Sequence, residues 1–213
     1  MSDVKALTDQ WQRALAGDKD MFRSLVEPHL KELRAAAQHE ITYRVCVGDL
    51  GSGSLSAEDL LAETMIKAWD ERRHKPDNLD LKAWLLGLLY RTADLLVGEE
   101  RQIGELAPVS LDAPAADMAA ATGWRQPADF EAWEEVIPDP KSTPEEIAPA
   151  VESQPGALPE RGRRILLMHD RHGISLQQAA FATSSSVSEA RELLLESRQT
   201  LLDGREASGA RRE

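Results

Sequence analysis

Residues 175–202 of the chain read SLQQAAFATSSSVSEARELLLESRQTLL. Ser175, with Gln178 three positions later, has the spacing of a capping box and predicts a short helix that ends near Ala182. The polar run 183–186 predicts a tight turn, and apolar residues at helical spacing over 187–202 predict a longer helix. A short helix, a tight turn and a longer helix together form the helix-turn-helix pattern.

Another helix is predicted directly before this pattern. It begins at Leu158 and Pro159, because proline is tolerated in the first turn of a helix, and Gly173 ends the segment. Residues 156–213 therefore read as a C-terminal helical module. The module carries nine basic and eight acidic side chains, so its net charge is only +1.

The first 101 residues also read as helices. Apolar residues recur three and four positions apart over 4–15, 21–33, 56–70 and 79–97, and Pro28 is expected to kink or divide the second of these segments. Ser56 followed by Asp59 predicts a capped helix start. No stretch alternates between apolar and polar residues with period two, so we expect an all-α fold.

Residues 102–155 differ in composition from both helical modules. They hold eight of the eleven prolines, and two basic against eleven acidic side chains give them a net charge of −9. Proline at this density disfavours long helices, so we predict an acidic, proline-rich linker. The predicted domains are 1–101, 102–155 and 156–213. Four apolar side chains of the linker could dock on a neighbouring module: Trp124, Phe130, Trp133 and Ile137.

Composition excludes several classes of protein. With 42% hydrophobic and 29% charged residues, the chain resembles soluble globular proteins and is too apolar to be wholly disordered. No apolar run approaches the roughly 18 residues that a membrane span needs. The first residues also lack the pattern of a signal peptide, so we expect a cytoplasmic location. The single cysteine, Cys46, cannot form an intrachain disulfide.

Catalytic chemistry has little support in the sequence. His169 and His172 flank Asp170, but no second group of metal ligands accompanies them, so we interpret them as surface histidines. Paired carboxylates occur only in charged runs that are typical of solvated surfaces. We therefore predict no enzymatic activity, no catalytic residues, no metal and no cofactor.

Two parts of the chain together resemble the extracytoplasmic-function sigma factors, a compact branch of the sigma-70 family. Residues 57–69, AEDLLAETMIKAW, followed by AWL at 83–85, resemble the second conserved region of that family. Residues 157–168, ALPERGRRILLM, with GISLQQAA at 173–180 and SVSEAR at 186–191, resemble the fourth region. That region contains the helix-turn-helix of the family, and the matches occur in the family's order and spacing.

The resemblance implies a dissociable subunit of bacterial RNA polymerase that directs promoter recognition and transcription initiation. The first module would dock on core RNA polymerase and open the promoter −10 element, and the second would read the −35 element. An anti-sigma factor is a further candidate partner, whose existence the sequence leaves open. The residues that the resemblance assigns to the polymerase contact are Asp59, Leu60, Glu63 and Lys67.

Candidate DNA contacts are concentrated where the last helix begins. Ser186 and Ser188 lie at a helix N-terminus, where backbone N–H groups and the helix dipole favour phosphate, and Arg191 follows in the first turn. The remaining candidates are Arg198, later in the same helix, and two arginines of the first module, Arg91 and Arg101. The full set is Ser186, Ser188, Arg191, Arg198, Arg91 and Arg101.

These positions are less basic than the family pattern, since Glu99 and Glu100 follow Arg91, and Glu196 accompanies the arginines of the last helix. Few phosphate contacts release few counterions, so we expect the protein alone to bind promoter DNA weakly. Two hypotheses stay open. The chain is either a divergent sigma factor, or a sigma-like interaction protein that has lost DNA binding and acts as an anti-sigma decoy or a polymerase-bound regulator.

The acidic linker could mimic nucleic acid, in a basic channel of polymerase or over the protein's own arginines.

Overall fold

The computed structural model describes residues 2–105, 123–131, 151 and 156–209. Every regular element within these ranges is helical, which confirms the all-α fold class. None of the helices in these ranges is both long enough and apolar enough to cross a bilayer. The N-terminal part contains α1 (Ser2–Leu15), α2 (Lys19–Val26), α3 (Leu30–Cys46), α4 (Ala57–Glu71) and α5 (Leu81–Glu105). The C-terminal part contains α6 (Glu160–Leu166), a π-helical turn (Leu167–Arg171), α7 (Leu176–Ala182) and α8 (Val187–Gly209).

Polar caps fix the helix starts that the sequence predicted. Ser56 and Asp59 form the complete capping box of α4, in which each side chain hydrogen bonds to the other residue's backbone. The Ser175 hydroxyl accepts a hydrogen bond from the Gln178 backbone N–H at 3.3 Å and caps α7. These bonds satisfy N–H groups that have no partner inside the helix, so the caps set the boundaries locally.

Three helices extend further than the sequence predicted. A 3₁₀ turn at Glu27–His29, which contains Pro28, divides α2 from α3, and α3 then continues to Cys46. The apolar pattern gave no sign of this continuation, because Glu40 and Arg44 are buried and interrupt the apolar face of α3. Helix α5 continues past Gly98 to Glu105, and α8 continues to Gly209.

The hydrophobic core joins the two helical modules. One cluster contains the buried faces of the N-terminal helices together with Met168, Ile174, Ala179 and Phe181 of the C-terminal module. A second cluster lies between α6, α7 and α8 of the C-terminal module and includes Val151 of the predicted linker. The modules therefore pack against each other. The division at 101 and 156 stays a prediction.

Part of the linker packs on this joint core. Trp124 and Phe130 are half-buried against the first cluster, which confirms the predicted docking of these two side chains. Trp133 and Ile137 lie outside the described residues, as do 106–122, 132–150 and 152–155 of the predicted linker.

Candidate functional site

The helix-turn-helix consists of α7, a short turn and α8. Ser184 in the turn has a φ of 56°, a left-handed conformation that residues other than glycine adopt rarely. The Ser186 hydroxyl accepts a hydrogen bond from the Glu189 backbone N–H at 3.1 Å and so caps α8. Ser186 and Ser188 therefore both lie at the start of α8, and Ser188 is within one turn of Arg191.

Asp129 of the linker is hydrogen bonded to this helix start. Its Oδ1 accepts from the Val187 backbone N–H at 2.8 Å, and its Oδ2 accepts from the Ser188 backbone N–H at 2.9 Å and from the Ser188 hydroxyl at 3.0 Å. Burial raises the pKa of Asp129, but these hydrogen bonds outweigh burial and hold the pKa below its usual value. An ionised carboxylate therefore lies against the backbone donors of α8.

Arg198, Arg91 and Arg101 each contact other residues of the protein. Arg198 pairs with both carboxylate oxygens of Asp170, at 3.0 and 2.5 Å. The Arg91 guanidinium carbon lies 3.6 Å from the centroid of the Trp124 ring, and Arg91 also donates a hydrogen bond to the Ser184 hydroxyl at 3.3 Å. Arg101 pairs with Asp49.

The candidate arginines do not form a single basic surface. Arg101 lies ten residues after Arg91 on α5, which corresponds to about 15 Å along the helix axis. Arg191 is half-buried near the start of α8. The structure thus brings Arg91, Ser184 and the start of α8 to one face of the protein and leaves Arg101 on another part of α5.

The predicted polymerase contact lies on the outer side of α4. Glu63 and Lys67 are half-exposed, and Asp59 is exposed but belongs to the capping box. Leu60 is fully buried, so its side chain supports the helix from the core and does not reach the surface.

An apolar groove beside this face was not foreseen from the sequence. Ile66 is 55% exposed although it is a large hydrophobic residue. It borders a groove of about 430 Å³ between α2, the start of α3 and α4, which is lined by Lys19, Phe22, Arg23, Val26, Leu30, Met65, Ile66 and Trp69. The position of Ile66 at the edge of the polar side of the α4 pattern was the available signal, since it lies about 60° around the helix axis from Glu63.

A buried charge cluster connects the two modules. Glu40 of α3 is completely buried and accepts hydrogen bonds from Arg44 at 3.1 Å, from Arg164 at 2.7 Å and from Arg163. Asp94 of α5 accepts from both terminal nitrogens of Arg164, at 2.6 and 3.0 Å. Arg163 and Arg164 belong to α6, so the cluster ties α6 to α3 and α5.

The surrounding positive charges keep the buried carboxylate of Glu40 ionised. Burial by itself raises the pKa of Glu40, but the positive charges of Arg164, Arg163 and Arg44 outweigh burial and lower the pKa to about 2. Glu40, Asp94 and Glu160 lie close enough to one another to share a metal ion. In the described residues, guanidinium groups already pair with all three carboxylates, so the cluster fits a structural role better than a metal site.

The two histidines considered as metal ligands differ in their environments. His172 is buried, and burial lowers its pKa to about 4, so it is neutral at pH 7. The interpretation of His172 as a surface histidine is therefore wrong. His169 is half-buried, and its Nδ1 lies 2.9 Å from the Ile174 carbonyl oxygen, a hydrogen bond that closes the turn before α7.

No protein-family model and no curated protein sequence matches this chain. Among solved structures, the fold is similar to that in the cocrystal structure of the sigma factor RpoE in complex with the anti-sigma factor NepR from Bartonella quintana. The match covers 85% of this chain and 94% of that chain, with a TM-score of 0.52 and 20% sequence identity. At this identity the likeness concerns the fold, which is that of a sigma-factor-like all-α protein.

Proposed function

We propose that this chain is a sigma factor of the extracytoplasmic-function type, which acts in the cytoplasm by binding core RNA polymerase and directing it to promoters. The observation that carries the proposal is the presence of an α7–turn–α8 helix-turn-helix and an exposed α4 face within one sigma-factor-like fold. The proposed activity is recognition and contains no catalytic step. Promoter DNA and an anti-sigma factor are the further partners in this proposal.

The pairing of the arginines supports a model in which binding to polymerase compensates for weak contacts with promoter DNA. Arg91 and Arg198 have partners inside the protein, so these two arginines are less available to neutralise phosphates. A second, polymerase-mediated attachment raises the effective concentration of the helix-turn-helix at the promoter, and weak DNA contacts are then sufficient.

The direct test is transcription from genomic DNA with purified core RNA polymerase and the full chain. Discrete run-off transcripts that depend on the added chain support the proposal. Stable binding to polymerase without any such transcript contradicts it.

A second candidate function is that of a sigma-like interaction protein that binds an anti-sigma factor or polymerase without reading DNA. The observation that favours it is the same internal pairing of Arg91 and Arg198, together with the carboxylate of Asp129 at the start of α8. Binding to polymerase or to an anti-sigma factor, with no promoter-dependent transcript, is the result expected for this candidate.

Reversing the charge of Glu63 is expected to weaken binding to core polymerase severalfold, because a charge at the rim of an interface contributes mainly to association. Asp59 is left unchanged, since its carboxylate caps α4. The thermal midpoint should change by only a few degrees, because half-exposed charges add little to stability. The measurement is the dissociation constant of Glu63→Lys from core polymerase.

Glu58→Lys is the matched control for this variant. It makes the same charge change on the same helix, about 140° around the helix axis from Glu63. Equal affinities of Glu63→Lys and Glu58→Lys would remove the α4 face from the proposed polymerase contact.

A further inference from the structure

The described part of the linker, residues 123–131, crosses from one helical module to the other; we call it the bridging segment. At one end Trp124 stacks on Arg91 of α5, and Gln126 hydrogen bonds with Asn78. At the other end Phe130 packs edge-on against Phe181 of α7, with ring centroids 5.8 Å apart. The bridging segment thus spans the face on which Arg91, Ser184 and the start of α8 lie together.

The contacts of Asp129 have the chemistry of a phosphate contact. A helix N-terminus presents unpaired backbone N–H groups and a partial positive charge, and it binds carboxylates and phosphates by the same interactions. Asp129 uses two backbone N–H groups, those of Val187 and Ser188, and the Ser188 hydroxyl. The DNA-contacting donors predicted for α8 are therefore occupied by an anionic group of the same chain.

The Trp124 end of the bridging segment covers a second candidate DNA contact, Arg91. The Trp124 ring stacks on Arg91, with the guanidinium carbon 3.6 Å from the ring centroid. Burial lowers the pKa of Arg91. Arg91 Nη1 is buried and Nη2 donates a hydrogen bond to the Ser184 hydroxyl, so little of the guanidinium edge that a phosphate would contact is accessible. Two separate contacts of one segment thus cover two candidate DNA contacts on two different helices.

We propose that the bridging segment is an intramolecular mimic of the DNA backbone, which masks the DNA-contacting start of α8 until it is displaced. This inference rests on the proposed function, because it assumes that α8 binds DNA. Nucleic acid and the bridging segment compete for the same donors, so DNA binds with high affinity only when Asp129 and Trp124 leave the surface. Attachment of the linker or of the modules to polymerase would supply the energy for that displacement.

The test compares the full-length chain with its Asp129→Asn variant in binding to a fluorescein-labelled duplex DNA of mixed sequence. Asparagine keeps the size and one oxygen acceptor but removes the charge. We expect the variant to bind DNA about tenfold more tightly, since a charge-assisted competitor has been weakened. The salt dependence should steepen by about one unit of slope for each additional phosphate that the protein neutralises.

Glu131→Gln is the matched control, because Glu131 is an exposed carboxylate of the same segment and the variant changes the net charge equally. A rise in affinity for Asp129→Asn that Glu131→Gln does not share supports the proposal. Equal affinities of all three proteins, or equal rises for both variants, would overturn it, since Asp129 would then be only a helix cap or one of many repelling charges.

Trp124→Ala keeps the proposal testable if Asp129→Asn loses helicity by circular dichroism. It releases the segment at Arg91 and leaves the contacts of Asp129 in place. Tighter DNA binding by Trp124→Ala supports the mask, and unchanged binding contradicts it. The transcription assay distinguishes failure of the mask from failure of the proposed function. Run-off transcripts, together with unchanged DNA affinity of both variants, refute the mask alone. Tighter DNA binding by the variants, without any transcript, refutes the sigma-factor activity alone.

Discussion

Replacing Glu40 by glutamine is expected to lower the free energy of unfolding by about 3–5 kcal/mol, the cost of removing one partner from a buried ion pair. Glu40 is completely buried, and Arg163 and Arg164 of α6 are almost as deeply buried. Without the carboxylate, their positive charges are desolvated and insufficiently paired. Chemical denaturation of the wild type and of Glu40→Gln, followed by circular dichroism, measures the difference.

Glu32→Gln is the matched control on the same helix. Glu32 pairs with Lys82 at 2.5 Å, but its side chain is 44% exposed. Exposed or half-exposed pairs contribute about 1 kcal/mol at most, so this variant should remain close to the wild type. Similar losses for Glu32→Gln and Glu40→Gln would show that the buried cluster does not stabilise the folded protein.

The stabilisation that Glu40 contributes depends on pH. The folded pKa of Glu40 is about 2 and lies below the ordinary value of 4.5, so the folded state binds the proton less tightly than the unfolded state does. The stabilisation is therefore complete above pH 4.5 and is lost as the pH falls from 4.5 towards 2. Glu40→Gln should lack this part of the acid destabilisation, and equal acid sensitivity of the two proteins would contradict the assignment.

Replacing Gly87 by alanine is expected to destabilise the protein by about 1–3 kcal/mol, the usual cost of overpacking a filled core. Alanine in the middle of a helix ordinarily stabilises, so the expected sign is reversed here. A Cβ atom on Gly87 would lie 2.9 Å from the Ala182 carbonyl oxygen and 2.9 Å from Trp124, so α5 and α7 would have to separate. Chemical denaturation measures the change.

Gly98→Ala is the control within the same helix. A Cβ atom at Gly98 meets no atom within 4 Å, so the alanine should follow helix propensity and stabilise by up to about 1 kcal/mol. A stabilising Gly87→Ala would mean that the two modules do not pack at this place in solution. Opposite signs for the two variants are expected from the packing of α5 against α7.

The structure also changes how the α4 face should be tested. The spacing of Asp59, Glu63 and Lys67 suggested one polar surface, but Asp59 caps the helix and Leu60 lies in the core. Ile66, to which the sequence pattern assigned no functional surface, is the large hydrophobic residue exposed there. Its groove gives the proposed polymerase contact an apolar centre beside Glu63 and Lys67.

The amino-acid sequence by itself determined the helical fold class and most helix starts, because these depend on interactions between residues three or four positions apart. The capping box of Ser56 with Asp59 and the cap of α7 by Ser175 are local hydrogen bonds of this kind. The turn between α7 and α8 was likewise predicted from four polar residues.

Only the tertiary structure decided which charges are free and which are paired. The hydrogen bond from Arg163 to Glu40 joins residues 123 positions apart, and those that Asp129 accepts from the α8 backbone span 58 and 59 positions. A charged side chain has the same appearance in the sequence whether it faces solvent or a partner on a distant helix. Its partner depends on how the helices pack, and packing is set by the whole core, because hydrophobic burial is non-directional and is shared among many residues.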